Sequence, residues 1–176
     1  ICFNLCFNVN TLVGGYHLKN KMENFIQQNF IGVWHHFLSF EINRSNFAVE
    51  TFGSANAYLI FQVIAWHHIL VMMNESEAKV REKAVELWFK LTETGFKSRT
   101  VLTYSLISSL TSLSIETVRR QVKKLEKKNW VTYSKKEGVK FSPSNDNNKF
   151  LADIFNVKEV RDLGRFLDVI EKQKPK

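Results

Sequence analysis

The stretch Ser114 to Lys128, SIETVRRQVKKLEKK, constrains this chain more than any other. Ile115, Val118, Val122 and Leu125 recur at spacings of three, four and three, which predicts a helix with a single apolar stripe. Ser114 is suited to the N-cap, because its hydroxyl can accept from a free amide of the first turn. Asn129 can take the left-handed conformation that ends a helix. With the stripe placed behind and each residue turned about 100° from the last, the front carries Glu116, Thr117, Arg120, Lys123, Lys124 and Lys127. Arg119 and Lys128 stand on the flanks.

The neighbouring segments give this helix a setting. Upstream, Thr103 is expected to cap a short helix, YSLISSL, and Thr111, Ser112 and Leu113 make a turn of the length that joins two helices steeply. Downstream, Trp130 to Ser134 alternates as a strand does, Lys135-Lys136-Glu137-Gly138 supplies turn chemistry, and Val139 to Ser142 returns. The expected order is helix, turn, helix, hairpin.

LTSLSIETVRRQVKKLEKKNWV followed by a basic hairpin resembles the DNA-binding domain of the bacterial cyclic-AMP receptor and fumarate-nitrate regulator superfamily. It is similar more loosely to the winged-helix regulators of the GntR and MarR groups. The resemblance covers about a quarter of the chain. It implies that Glu116 and Arg120 face base edges and that Thr117 helps hold the DNA backbone. Chemistry agrees, since a guanidinium bonds bidentately to guanine O6 and N7 and a carboxylate accepts from cytosine N4. Ile115 stands where some members carry another base-reading arginine, Ser112 replaces a frequent turn glycine, and Thr111 takes a usually apolar place, so no operator sequence carries over. That superfamily's β-rich nucleotide sensor is not implied, because residues 22–93 look helical.

Charge separates this surface from an ordinary solvated one. From Lys97 to Lys140 there are eleven basic residues against Glu116, Glu126 and Glu137, giving +8, the whole formal charge of the protein. The rest balances, 14 against 14. Charge concentrated on one helix face and its hairpin fits a phosphate backbone. The expected DNA-contacting residues are Ser114, Glu116, Thr117, Arg119, Arg120, Lys123, Lys124 and Lys127 on the recognition helix (114–128), with Lys135, Lys136 and Lys140 on the wing (134–140).

The 176 residues allow one domain with appended helices, and an apolar fraction of 44% is ample for a core. Residues 1–21 form no capped or periodic helix, whereas Met22 opens a good one. We expect 1–21 to be a non-native or disordered extension with Met22 as the natural start, a reading that peptides from before Met22 in native protein would contradict. A signal peptide fits poorly there, without a basic n-region. Cys2 and Cys6, both in that stretch, support neither a disulfide framework nor a zinc site, which fits a reducing cytoplasm.

Glu23 to Ile42 reads as a broadly apolar helix, Asn43 to Ser54 as a connection, and Ala57 to Met73 as a second, very apolar helix. That helix is short for a membrane span and holds Gln62, His67 and His68. A small head would not cover it alone, so residues 22–74 are expected to form a homodimer interface with help from the C-terminus. A third helix, capped at Asn74 or Ser76 and stopped at Gly95, turns Val80, Ala84, Leu87, Trp88 and Leu91 inward and opens a winged helix-turn-helix domain over 75–142. Ser98 to Leu102 is its candidate first strand. Residues 143–176 follow as a polar linker, Pro143 to Asn148, and a C-terminal arm of one or two amphipathic helices broken near Asn156, ending in a frayed KQKPK tail.

Trp34-His35-His36 and Trp66-His67-His68 invite a metal reading. Adjacent histidines point about 100° apart on a helix, and a site would need Glu41 or a dimer mate besides, so interior or interfacial histidines are expected, with no metal and no cofactor. A small-molecule effector is compatible but unsupported. No phosphate loop, nucleophile elbow or paired-cysteine motif supports an enzyme. The fold class expected is mainly α with a small β wing, a winged helix-turn-helix plus N- and C-terminal helices. Its expected partner is double-stranded DNA, bound by a homodimer acting as a transcriptional regulator. The alternative is a winged-helix protein-interaction module, or a replication or partition DNA binder without regulatory specificity.

Overall fold

The computed structural model describes residues 21–75, 80–94 and 101–174. It is mainly helical with one small two-stranded antiparallel sheet, which agrees with the expected composition of elements. Almost all of the expected N-terminal extension, with Cys2 and Cys6, lies outside the described residues, as do Ser76, Gly95 and residues 98–100.

Helix α1, Lys21–Gln28, is separated from α2, Phe30–Phe52, by Asn29, whose backbone and side-chain nitrogens both donate to the carbonyl of Phe25 at 3.0 Å. The connection expected over Asn43 to Ser54 is in fact the second half of α2. Polar residues Asn43, Ser45 and Asn46 take its solvent side, while Ala48 and Phe52 are buried and Arg44 reaches another helix. What stops α2 is Gly53, left-handed at φ 92°, whose N–H donates to Val49 O at 2.7 Å.

Phe52 is the hub of the core. Its ring lies 4.2 Å from that of Phe61 and 5.8 Å from that of Tyr58, both on α3, Ala55–Glu75. It also meets Trp130 at 5.2 Å and Phe155 at 5.6 Å, both from the second half of the chain. Along α3, Ile60, Ile64 and His68 are buried at four-residue spacing. Helix α3 is long and apolar enough, over Ala55–Met73, to cross a membrane by length and composition, and half of that span is buried in this fold. The buried half lies chiefly under later elements of the same chain. They are α5, Tyr104–Thr111, α6, Ile115–Lys127, and the second hairpin strand, all of which pack on α3. The boundary expected at residue 74 is therefore not where packing divides: one core joins Ala48 and Phe52 to Ile107, Val122 and Phe141.

The third expected helix forms as α4, Arg81–Thr94, but it is peripheral. Val80 is 57% exposed instead of inward, no α4 residue is fully buried, and the helix lying against both α5 and α6 is α3. Asn74, offered as the cap of that helix, still belongs to α3. Trp88 is the anchor of α4. Its indole Nε1 donates to Asn148 Oδ1 at 2.6 Å and its ring meets His68 and Phe141.

His68 supplies a pH prediction. Burial first, and then the neighbouring His67, lower its pKa from 6.5 to about 4. Above pH 6.5 folded and unfolded chains both hold it neutral. Between about 6.5 and 4 only the unfolded chain takes up the proton, so stability falls as pH falls through that window and the loss levels off below it. The shift corresponds to about 3 kcal/mol. Urea unfolding of His68→Phe at pH 7 and pH 4.5 should show a smaller acid loss than the parent.

The hairpin pairs β1, Val131–Ser134, with β2, Gly138–Phe141, in the register Val131 to Phe141. Leu102 adds a single bridge to Gly138, the described remnant of the strand expected at 98–102. The expected polar linker after the hairpin is ordered instead as α7, Asn145–Phe150, capped by Ser144, whose Oγ accepts from Asn147 N–H at 3.3 Å. It becomes helix because Asn148 is buried under Trp88 and Asn147 is held by carbonyls of an earlier helix. The break expected near Asn156 is a single π-helical turn, Leu151–Phe155, through which α7 runs on into α8, Asn156–Lys172. Arg81 of α4 braces this turn, donating to Ala152 O at 2.5 Å and Asn156 Oδ1 at 3.0 Å. Of the tail expected to fray, Gln173 and Lys174 are described and continue the turn by backbone bonds to Ile170 and Glu171.

Helix α8 lies along α2. Phe166 stacks on Phe40 at 5.5 Å, and Arg44 Nε donates to Glu159 Oε1 at 2.8 Å. The Tyr58 hydroxyl donates to the same carboxylate oxygen at 3.3 Å; burial, followed by the Glu159 charge, raises its pKa, which keeps it a donor. These contacts bring the arm, α2 and the core under α6 into one body.

Candidate nucleic-acid interface

Helix α6 is built to hold two opposite faces. Its back is Val118, Gln121, Val122 and Leu125, all buried, so Gln121 takes the place expected of Ile115, which is 45% exposed at the first helical position. The N-terminus is closed as the sequence suggests. Ser114 Oγ accepts from Thr117 N–H at 3.2 Å, and the Ser114 hydroxyl donates to Thr117 Oγ1 at 2.9 Å. Both hydroxyls are thus engaged in the cap, which fixes where α6 starts. Such a cap contributes about 1 kcal/mol.

The turn before it accommodates the two unusual residues. Ser112 is left-handed at φ 57°, where glycine is unstrained. Ser108 steadies it by donating to Leu113 O at 2.6 Å. Thr111 is buried, but its hydroxyl donates to Ile107 O at 2.7 Å, so the polar group is satisfied locally. Thr103 caps α5, accepting from Leu106 N–H at 3.1 Å.

On the front, Glu116, Arg119, Arg120, Lys123, Lys124 and Lys127 border an open groove of about 330 Å³. Glu116 is paired with Arg119 at 2.9 Å, not with Arg120. Both members are largely exposed, so the pair is worth only about 0.3 to 0.5 kcal/mol. Arg120, Lys123, Lys124 and Lys127 have no ion-pair partner among the described residues. Four neighbouring cations without carboxylates repel one another and attract an anion.

Lys128 does not belong to this face. Its Nζ reaches back to α2, lying 3.0 Å from where a Cβ on Gly53 would sit. There the ammonium faces the negative end of the α2 dipole.

No family model, curated protein or solved structure matches this chain.

The far end of α6 is fixed from two directions. Asn129 adopts φ 59°, and Trp130 N–H returns to Leu125 O at 3.0 Å. The Asn147 amide then donates to both Lys128 O and Asn129 O, at 2.8 and 2.9 Å, covering carbonyls that a helix end leaves open. Glu126, the one acidic residue in the second half of α6, accepts from Tyr133 N–H at 3.1 Å and so ties the helix to β1. Asn147 was not among the expected site residues. An Asn-rich run after a hairpin reads as a linker, and only the fold reveals what its amide reaches.

The hairpin turn presents Lys135 and Lys136 to solvent. Lys140 is turned aside: its Nζ bonds Glu137 Oε1 at 2.6 Å, and the carboxyl of Glu137 is held below its ordinary range by that bond and by the Lys140 charge. Gly138 is required at the base of the turn, because it sits at φ 69° and a Cβ there would lie 2.6 Å from Leu102 O. Beside the hairpin, Tyr133 stacks on Tyr104 of α5 at 4.4 Å. The groove on α6 therefore brings together Arg119, Arg120, Lys123, Lys124 and Lys127, with Ser114 and Thr117 closing the helix start, while Lys135 and Lys136 stand exposed on the hairpin turn and Lys140 is bonded to Glu137. Among the described residues no three His, Cys, Asp or Glu side chains are grouped to hold a metal ion.

Proposed function

We propose that this chain is a sequence-specific double-stranded DNA-binding transcriptional regulator, acting in the cytoplasm. In this reading α3, α5, α6 and the hairpin form a winged helix-turn-helix, α6 lies in the major groove, and Lys135 and Lys136 reach the neighbouring backbone. The observation that carries it is the division of α6 into a buried apolar back and a front whose Arg120, Lys123, Lys124 and Lys127 lack acidic partners among the described residues. A solvated helix surface usually interleaves its charges; a surface made for phosphate and base edges does not.

The protein acts as a homodimer in this proposal. Support comes from α2, whose Phe30, Ile31, Trp34, Leu38 and Ile42 are 43–85% exposed, with Phe30 and Trp34 stacked at 5.4 Å. The buried face of α2 at Ala48 and Phe52 thus runs on uncovered toward its N-terminus, the place for a second copy. Two-fold symmetry would set the heads about 34 Å apart and select a pseudo-palindrome.

The test is selection from a randomised duplex pool with the full chain, followed by titration of the selected site. Arg120→Ala is expected to weaken that site by about 1 to 3 kcal/mol and to relax preference at one base pair. Equal losses on selected and random duplexes would remove the base-reading role, and no DNA binding at all would turn the surface over to an acidic protein partner.

A further inference from the structure

A second surface lies between α2 and α8, where an open groove of about 510 Å³ runs along the helix pair. The helices are antiparallel, as the pairs Phe40 with Phe166 and Arg44 with Glu159 require. Each lines the groove with a stripe at three- and four-residue spacing, so the wall is continuous and not a chance gap between loops. The floor is aromatic where the rings of Phe40 and Phe166 stack; Phe47, farther along, is already stacked on Phe155 and lies under the Lys158 ammonium at 5.0 Å. The α8 rim is cationic. Lys158 and Arg161 share Asp162, at 2.5 and 3.4 Å, whereas Arg165 has no ion pair among the described residues. The remaining carboxylate of the groove, Glu50, stands one turn beyond Phe47, at the Lys158 end. A phenyl floor beneath an unpaired guanidinium is complementary to a molecule with an apolar body and one negative end.

We propose that this groove binds a small organic carboxylate, its apolar body on Phe40 and Phe166 and its carboxylate on Arg165. Sugars and free phosphate lack the apolar body, and an amine would meet the cationic rim. Occupancy is coupled to α6 through both walls. Helix α2 ends at Gly53 under Lys128, and α8 is continuous with α7, whose Asn147 holds the last carbonyls of α6. A ligand that parts α2 from α8 shifts both holds at once. The coupling rests on the DNA-binding reading; the binding site does not.

The experiment uses the full chain, titrated by NMR or calorimetry with 2-naphthoate and decanoate, and with the neutral 2-naphthamide as control. Both carboxylates are expected to bind. Arg165→Gln should weaken them about tenfold and leave 2-naphthamide unchanged, while Asn43→Trp, at an exposed position on the rim, should block all three probes. Failure of both carboxylates to bind overturns the proposal, as does binding that neither substitution alters. DNA affinity is then measured with and without saturating 2-naphthoate, with a change of roughly fivefold or more expected that disappears in Arg165→Gln. Unchanged DNA affinity removes the coupling and leaves the site. A chain that binds naphthoate but no DNA refutes the DNA reading alone.

Discussion

Raising salt from 50 to 200 mM is expected to weaken binding of a DNA duplex by about a thousandfold, the consequence of roughly six phosphate contacts released together. Arg119, Arg120, Lys123, Lys124 and Lys127 on α6, with Lys135 and Lys136 on the turn, are the exposed cations that can make them. Lys140 is omitted because it is partly buried as well as bonded to Glu137, whereas the pair of Arg119 with Glu116 is more exposed and exchanges readily for phosphate. Anisotropy titrations at several salt concentrations give the slope of log K against log salt. Lys136→Ala should make that slope shallower by about one while weakening all sequences alike, whereas Arg120→Ala should act mainly on the selected sequence. A nearly flat salt dependence would falsify the assignment of this face to DNA, since a surface of unpaired cations cannot meet a polyphosphate without displacing its counterions.

Phe52→Ala is expected to destabilise the whole molecule by about 3 to 5 kcal/mol, the usual range for removing a buried phenyl ring. The ring is 3% exposed and touches Tyr58, Phe61, Trp130 and Phe155, so the cavity would open between α2, α3, the start of the hairpin and the π turn together. Urea unfolding followed by helical circular dichroism and by tryptophan fluorescence should give one transition, displaced equally in both signals. Two transitions, with only one displaced, would mean that residues 22–74 fold as a separate module after all. A loss under about 1 kcal/mol would mean that neighbouring rings collapse into the space.

Local rules made the centre of the molecule readable. Ser114, Thr103 and Asn129 act at their own helix ends, and the hairpin turn is encoded in four consecutive residues. Their partners lie within a few positions, and short-range chemistry is what spacing and residue type report. The misses share the opposite property. Asn43 to Phe52 is polar enough to suggest a loop, yet it is helical because Ala48 and Phe52 find buried partners far along the chain. Pro143 to Asn148 misled for the same reason, since Asn147 and Asn148 are satisfied by Lys128, Asn129 and Trp88. Gln121 takes the buried place expected of Ile115 because a helix's first residue overhangs the core that its second turn enters. Of the candidate site, the cationic face was legible from charge and periodicity. The withdrawal of Lys128 and Lys140, and the pairing of Glu116 with Arg119, were not, because each is a choice among several reachable partners.

The grip of Asn147 on α6 also sets an order of events during synthesis. Its carbonyl partners, Lys128 and Asn129, precede it by 19 and 18 residues, and the π turn that seats its helix comes later still. As the chain leaves the ribosome, α6 and the hairpin emerge with the local closure of the helix in place but the carbonyls of Lys128 and Asn129 without that amide. The second hold on the helix that carries Arg120 forms only when the C-terminal arm has arrived. A nascent or prematurely ended chain would therefore carry every one of the cationic side chains and still lack that second hold.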